Sequence, residues 1–155
     1  MKSVQKKVND LGAAAYMLMH GHKVLGRQSR TILFEVELNI AQEFEQRMLD
    51  YLSSEYHRFD SCLMSLKKMN EYMPEYNREG QLRKVSDLGA AAYMLMHGHK
   101  LIGRQGNTIV FEVEHKDIDE FEQRLLDYLS SEYHRFDSCL MSLKKINESI
   151  SNSDD

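Results

Sequence analysis

The stretch Asp10–Lys23, DLGAAAYMLMHGHK, recurs letter for letter at Asp87–Lys100. Asp10 is suited to cap a helix starting at Leu11. Leu11, Ala14, Ala15, Leu18 and His22 fall on one helical stripe, and Tyr16, Met17 and Met19 make the other faces apolar too. A helix apolar nearly all round is buried on more than one side. Its three alanines leave room for close approach by another element, and Gly21 fits a left-handed helix stop.

Outward from this helix, KVLGRQ (23–28) and TILFEVE (31–37) read as two strands. The connection is Ser29-Arg30 in one copy and Gly106-Asn107 in the other, and Gly-Asn is a good hairpin signal. Ile32, Phe34 and Val36 alternate with Thr31, Leu33, Glu35 and Glu37, the pattern of a sheet with one buried face. Two strands alone are marginal in water. The hairpins are therefore expected to join into a four-stranded antiparallel sheet or to pack on each other's helices. LNIAQ (38–42) becomes HKDID (115–119), the divergence expected of a surface connection. A helix is predicted from Glu43 to Leu52, with Phe44, Met48, Tyr51 and Leu52 on one side. After a break at Ser53-Ser54, Asp60 is read as the cap of a further helix carrying Cys62, Leu63, Leu66 and Met69, with Lys67 and Lys68 in its last turns. The alternative is one helix from 42 to 70.

The remainder falls between these copies. Residues 1–7 are polar and basic and read as a frayed lead-in. The organisation expected is a first repeat at 1–73, a linker at 74–83 holding the only proline, Pro74, a second repeat at 84–149 and a disordered tail at 150–155. Tyr72 and Tyr76 near the linker are able to pack down. The fold class is α+β: a tandem duplicated α-β-β-α(-α) module forming a pseudo-twofold intramolecular dimer, its alanine-lined helices in a common interior. Two origins account for near-identical copies, recent duplication or a ligand shared by both.

At 155 residues, 42% hydrophobic and 28% charged, the chain has a globular balance. A net charge of -4 argues against a generally basic nucleic-acid binder and leaves room for a local patch. The two cysteines, Cys62 and Cys139, occupy equivalent positions and form no disulfide framework, which points to a reducing, cytoplasmic setting. No apolar run reaches about 18 residues, so no membrane span is expected. MKSVQKKVND lacks the apolar core of a signal peptide.

The best candidate basic patch is Lys23, Arg27 and Arg30 beside His22, with Lys100, Arg104 and His99 in the second copy, where Asn107 replaces Arg30. Two such hairpins are suited to grip a phosphate backbone, and Tyr16, Phe34, Tyr56 and Phe59 offer stacking faces unless they are core. His20, His22, His97 and His99 are weak metal candidates, since the tight paired spacing of structural zinc sites is missing. A Cys/His nucleophile pair is weaker still, because Cys62 lies on an apolar stripe. Glu35, Glu37, Glu43, Glu45, Asp50 and Glu55 read as solvent-facing carboxylates rather than a catalytic set.

The order of Asp10-Leu11, Ala14-Ala15-Tyr16, Gly21, Lys23, Leu25, Gly26, Phe34-Glu35 and Leu66-Lys67, with its second-copy twins, resembles a family of uncharacterised small domains associated with phages, prophages and bacteria. The resemblance covers most of each copy and carries over no functional residues. It implies a small accessory protein of a mobile element. The function expected is non-enzymatic and without cofactor: nucleic-acid binding through the hairpins, with single strands the expected ligand. The alternatives are a protein-interaction module acting on a host protein and, behind it, a metal-binding protein.

Overall fold

The computed structural model describes residues 2–75 and 81–146. The architecture is α+β, with two separate three-stranded antiparallel sheets among the described residues. The chain divides into two compact units, Met1–His57 with Arg135–Asp155, and Arg58–His134. These units cut across the sequence copies, because each takes its last helix from the other copy.

The first unit runs β1 (Ser3–Val8), α1 (Leu11–Met19), β2 (Lys23–Gln28), β3 (Thr31–Glu37), a 3-10 turn at Leu38–Ile40 and α2 (Ala41–Leu52). It is completed from Arg135 onward by α6 (Glu132–Lys144). Its sheet order is β1-β3-β2. This corrects the expected four-stranded sheet: each hairpin gains its own third strand instead of joining the other. The segment read as a frayed lead-in is corrected too: Ser3–Val8 is that strand here, pairing Val4 with Val36 and Val8 with Ile32. A two-stranded hairpin leaves one edge of β3 unpaired, and β1 satisfies those backbone groups. The module is therefore β-α-β-β-α-α. As the central strand, β3 buries Leu33 as well as Ile32, Phe34 and Val36.

Helix α1 begins where the sequence places it. Asp10 accepts from the backbone N–H groups of Gly12 at 2.9 Å and Ala13 at 3.4 Å. Ala13, Ala14, Ala15, Met17 and Met19 are buried, and the helix packs on α2, β1 and β3. Phe44 and Tyr51 of α2 close over it, and Phe136 of α6 stacks on Tyr51 with ring centroids 6.3 Å apart. Of the four residues read on one side of α2, Phe44 and Tyr51 are buried, Met48 is half-buried and Leu52 is 57% exposed.

The second unit runs from the Arg58 end of α3 (Glu55–Lys68) through β4 (Gln81–Val85), α4 (Leu88–Met96), β5 (Lys100–Gln105), β6 (Thr108–Val113), a 3-10 turn at His115–Asp117 and α5 (Ile118–Leu129). Its sheet order is β4-β6-β5. The end of the segment read as a linker is thus a strand from Gln81 onward. Tyr72 also pairs with Arg104 on the free edge of β5, its N–H donating at 2.9 Å and its carbonyl accepting at 2.7 Å. A Cβ at Gly103 would collide with that Tyr72 carbonyl. The Tyr72 ring itself is exposed. Phe59 stacks on Tyr128, repeating the Phe136–Tyr51 arrangement of the first unit. Tyr76 and the 150–155 segment lie outside the described residues.

The break at Ser53-Ser54 holds, with α2 ending at Leu52 and α3 starting at Glu55. Asp60 is not the cap of that helix. Ser54 Oγ accepts from the His57 N–H at 3.3 Å, the N-cap geometry that starts the helix at Glu55 rather than after Asp60.

Both hairpin turns put only their first residue at positive φ, 59° at Ser29 and 60° at Gly106, as a type II′ turn requires. Glycine adopts that conformation freely and serine does not. Ser29→Gly is therefore expected to stabilise the chain by about 1 kcal/mol in denaturant titrations. An unchanged midpoint would show that the turn bears no strain.

Candidate functional site

The stop of α1 decides where its histidines go. Gly21 sits at φ +91°, its N–H donates to the Leu18 carbonyl at 3.0 Å, and the His22 N–H donates to Met17 at 3.2 Å. This paired arrangement is the Schellman motif, and it turns the chain back toward the helix. His20 stays outside, its Nδ1–H donating to the Tyr16 carbonyl at 2.8 Å. His22 turns inward, 9% exposed, with its ring edge-on to Phe44 at 4.9 Å.

Arg47 Nη1 lies 3.1 Å from His22 Nε2, and Arg124 Nη1 lies 3.0 Å from His99 Nε2. A guanidinium only donates, so each imidazole accepts at Nε2 and is neutral with its proton on Nδ1. Burial holds both histidines below the usual pKa, and the adjoining arginine adds to that effect against the smaller opposing pull of Glu43 or Glu120. Below about pH 6.5 the unfolded chain gains protons that the folded histidines resist. Stability is thus expected to be full above that pH and to fall as the pH drops from it toward the depressed folded values. A His22→Gln/His99→Gln double variant keeps an acceptor for each arginine and should flatten this slope in urea titrations. A slope unchanged by the double variant would assign it to other groups.

Each unit has a polar crevice beside this histidine, His22 buried and His99 half-buried. In the first unit Ser3, Gly21, His22, Lys23, Glu35, Glu37 and Ile40 line about 370 Å³. In the second, Gly98, His99, Lys100, Glu112, Glu114, Asp117 and Glu120 are among the residues lining about 390 Å³. Lys23 pairs with Glu35 at 3.1 Å and Lys100 with Glu112 at 2.9 Å. Ser3 Oγ donates to Glu35 at 3.1 Å, so its hydroxyl is directed at a carboxylate rather than at His22. Hydrogen bonds from Lys23 and Ser3, with the Lys23 charge, hold the Glu35 carboxyl below its usual range.

The hairpin arginines are spent on helix ends. Arg27 Nε donates to the Ser29 carbonyl at 2.7 Å, and its Nη1 to the carbonyls of Lys144 and Ile146, each at 3.2 Å. Arg104 donates to Gly106 at 2.7 Å, to Leu66 at 3.4 Å and to Met69 at 2.7 Å. These carbonyls end α6 and α3, where a cation is favoured by unsatisfied acceptors and the helix dipole. Arg135 and Arg58 reciprocate, donating to Met19 at 3.0 Å and to Met96 at 3.2 Å. Of the side chains nominated for a basic patch, only Arg30 is exposed with no polar contact to a described residue beyond its own turn.

Among the proposed stacking rings, Phe34 and Phe59 are fully buried, and Tyr16 and Tyr56 are half-buried. Of the weak metal candidates, His22 and His99 have their ring lone pairs directed at Arg47 and Arg124, while His20 and His97 use Nδ1 on Tyr16 and Tyr93. Among the described residues no group of three His, Cys, Asp or Glu is placed to hold a metal ion. Cys62 and Cys139 are free thiols that burial pushes up in pKa, the opposite of thiolate activation.

The surface that sequence reading missed is the outer side of α2 and α5. Leu49 and Leu126 are each 61% exposed, and Leu52 and Leu129 each 57%. Three residues apart on a helix, each pair shares one face. The signal was in MLDYL: Met48, Leu49, Tyr51 and Leu52 subtend too wide an arc to turn inward together. The remaining exposed positions of α2 are Gln42, Glu43, Glu45, Gln46 and Asp50, and those of α5 are Asp119, Glu120, Glu122, Gln123 and Asp127.

No protein family, no curated protein and no solved structure matches the chain. Among the described residues, no helix is long and apolar enough to cross a membrane.

Proposed function

We propose that the chain is a non-enzymatic protein-interaction module, and that the outer faces of α2 and α5 are its binding surfaces. One observation carries this reading: the same two leucines stand exposed at the same spacing in both units. Exposed apolar side chains at helical spacing are the anchors used when an amphipathic helix is bound. The hairpins support nucleic-acid binding less well, because Lys23, Arg27, Lys100 and Arg104 are engaged by carboxylates or backbone carbonyls of the chain itself.

The test compares two ligands by fluorescence anisotropy, a leucine-bearing amphipathic peptide and a single-stranded oligonucleotide. Peptide binding is expected, and a Leu49→Ser/Leu52→Ser/Leu126→Ser/Leu129→Ser variant should weaken it about 100-fold. Oligonucleotide binding at about 50 mM salt that survives in this variant and is lost with Arg30→Ala would overturn the reading in favour of the hairpins.

A further inference from the structure

We infer that the partner helix is basic, with a lysine or arginine about one turn from its apolar anchor; this rests on the reading above. Every charged residue among the exposed positions of α2 and α5 is acidic. Arg47 and Arg124, the cations of these helices, are directed at Glu43 and Glu120 and at His22 and His99. Lys6 reaches Glu45 at 2.9 Å, and Arg83 reaches Glu122 at 3.3 Å. Among the described residues, the carboxylates of Asp50 and Asp127, beside the leucines in sequence, meet only the neutral amides of Gln46 and Gln123, each at 3.0 Å. A carboxylate with only an amide partner, next to an apolar anchor, is complementary to an ammonium or guanidinium. A second copy of this chain fits poorly, since pairing like faces would set Asp50 and its neighbours against carboxylates of the same kind.

The experiment titrates the full chain with a leucine–lysine amphipathic peptide and its leucine–glutamine and leucine–glutamate counterparts. The lysine peptide should bind about tenfold tighter than the glutamine peptide at about 50 mM salt, with the gap closing near 1 M. Asp50→Asn/Asp127→Asn should remove most of that preference. Equal, leucine-dependent binding of all three peptides overturns the basic partner and leaves the binding surface standing. Binding insensitive to the leucine substitutions overturns the surface itself. Concentration-dependent self-association that is lost on substituting the leucines would overturn the inference by making a second copy the occupant.

Discussion

Phe136→Ala is expected to cost about 3–5 kcal/mol and to loosen the sheet of β1, β2 and β3, although Phe136 belongs to the second sequence copy. The ring is fully buried, stacks on Tyr51 and lies 5.6 Å from Tyr56. Alanine leaves a cavity that the surrounding rings close only in part. Amide hydrogen exchange resolves the outcome by region. Protection should fall first at Ile32, Phe34 and Val36. Phe59→Ala should do the reverse, lowering protection at Ile109 and Phe111. Loss confined to the sheet of the mutated residue's own copy would contradict the exchange of last helices.

The second large effect concerns the arginines of the hairpins. Arg27→Lys and Arg104→Lys preserve charge but not the fork that reaches several carbonyls at once. Each is expected to cost about 2 kcal/mol, the worth of a charge-assisted hydrogen bond whose acceptors are left without a partner. Arg30→Ala should stay within about 0.5 kcal/mol of the parent chain, as an exposed tip residue does. Denaturant midpoints measure all three. Lysine variants as stable as the parent would free these arginines for a ligand.

The parts of the fold legible in sequence were those set by local chemistry. Asp10, Gly21 and the two-residue turns act within a few residues of themselves, and the helix and hairpin they bound fall where the residues place them. What escaped was non-local. In Ser3–Val8 only Val4 and Val8 are apolar, with Lys6 between them on the same side, so the strand exists because β3 offers it an edge. The helix exchange was illegible for a different reason. The two copies of EYHRFDSCLMSLK are identical, so the residues do not say which unit each completes.

For the site, composition pointed at cations and histidines, and those groups found partners inside the chain. Arg27 and Arg104 look like surface charge in sequence, yet their acceptors lie 117 and 35 residues away. Leu52 falls on one side of its helix with Phe44 and Tyr51, and a helical stripe leaves the width of the buried face undetermined. Only the packing of Phe44 and Tyr51 shows how narrow that face is.

Residue-resolved chemical-shift mapping of the full chain against the leucine–lysine peptide tests the central claim most directly. Perturbations should centre on Gln46, Leu49, Asp50 and Leu52 and on Gln123, Leu126, Asp127 and Leu129, with Lys23, Arg30 and Lys100 unmoved. Shifts gathered on the hairpins, with α2 and α5 silent, would contradict it.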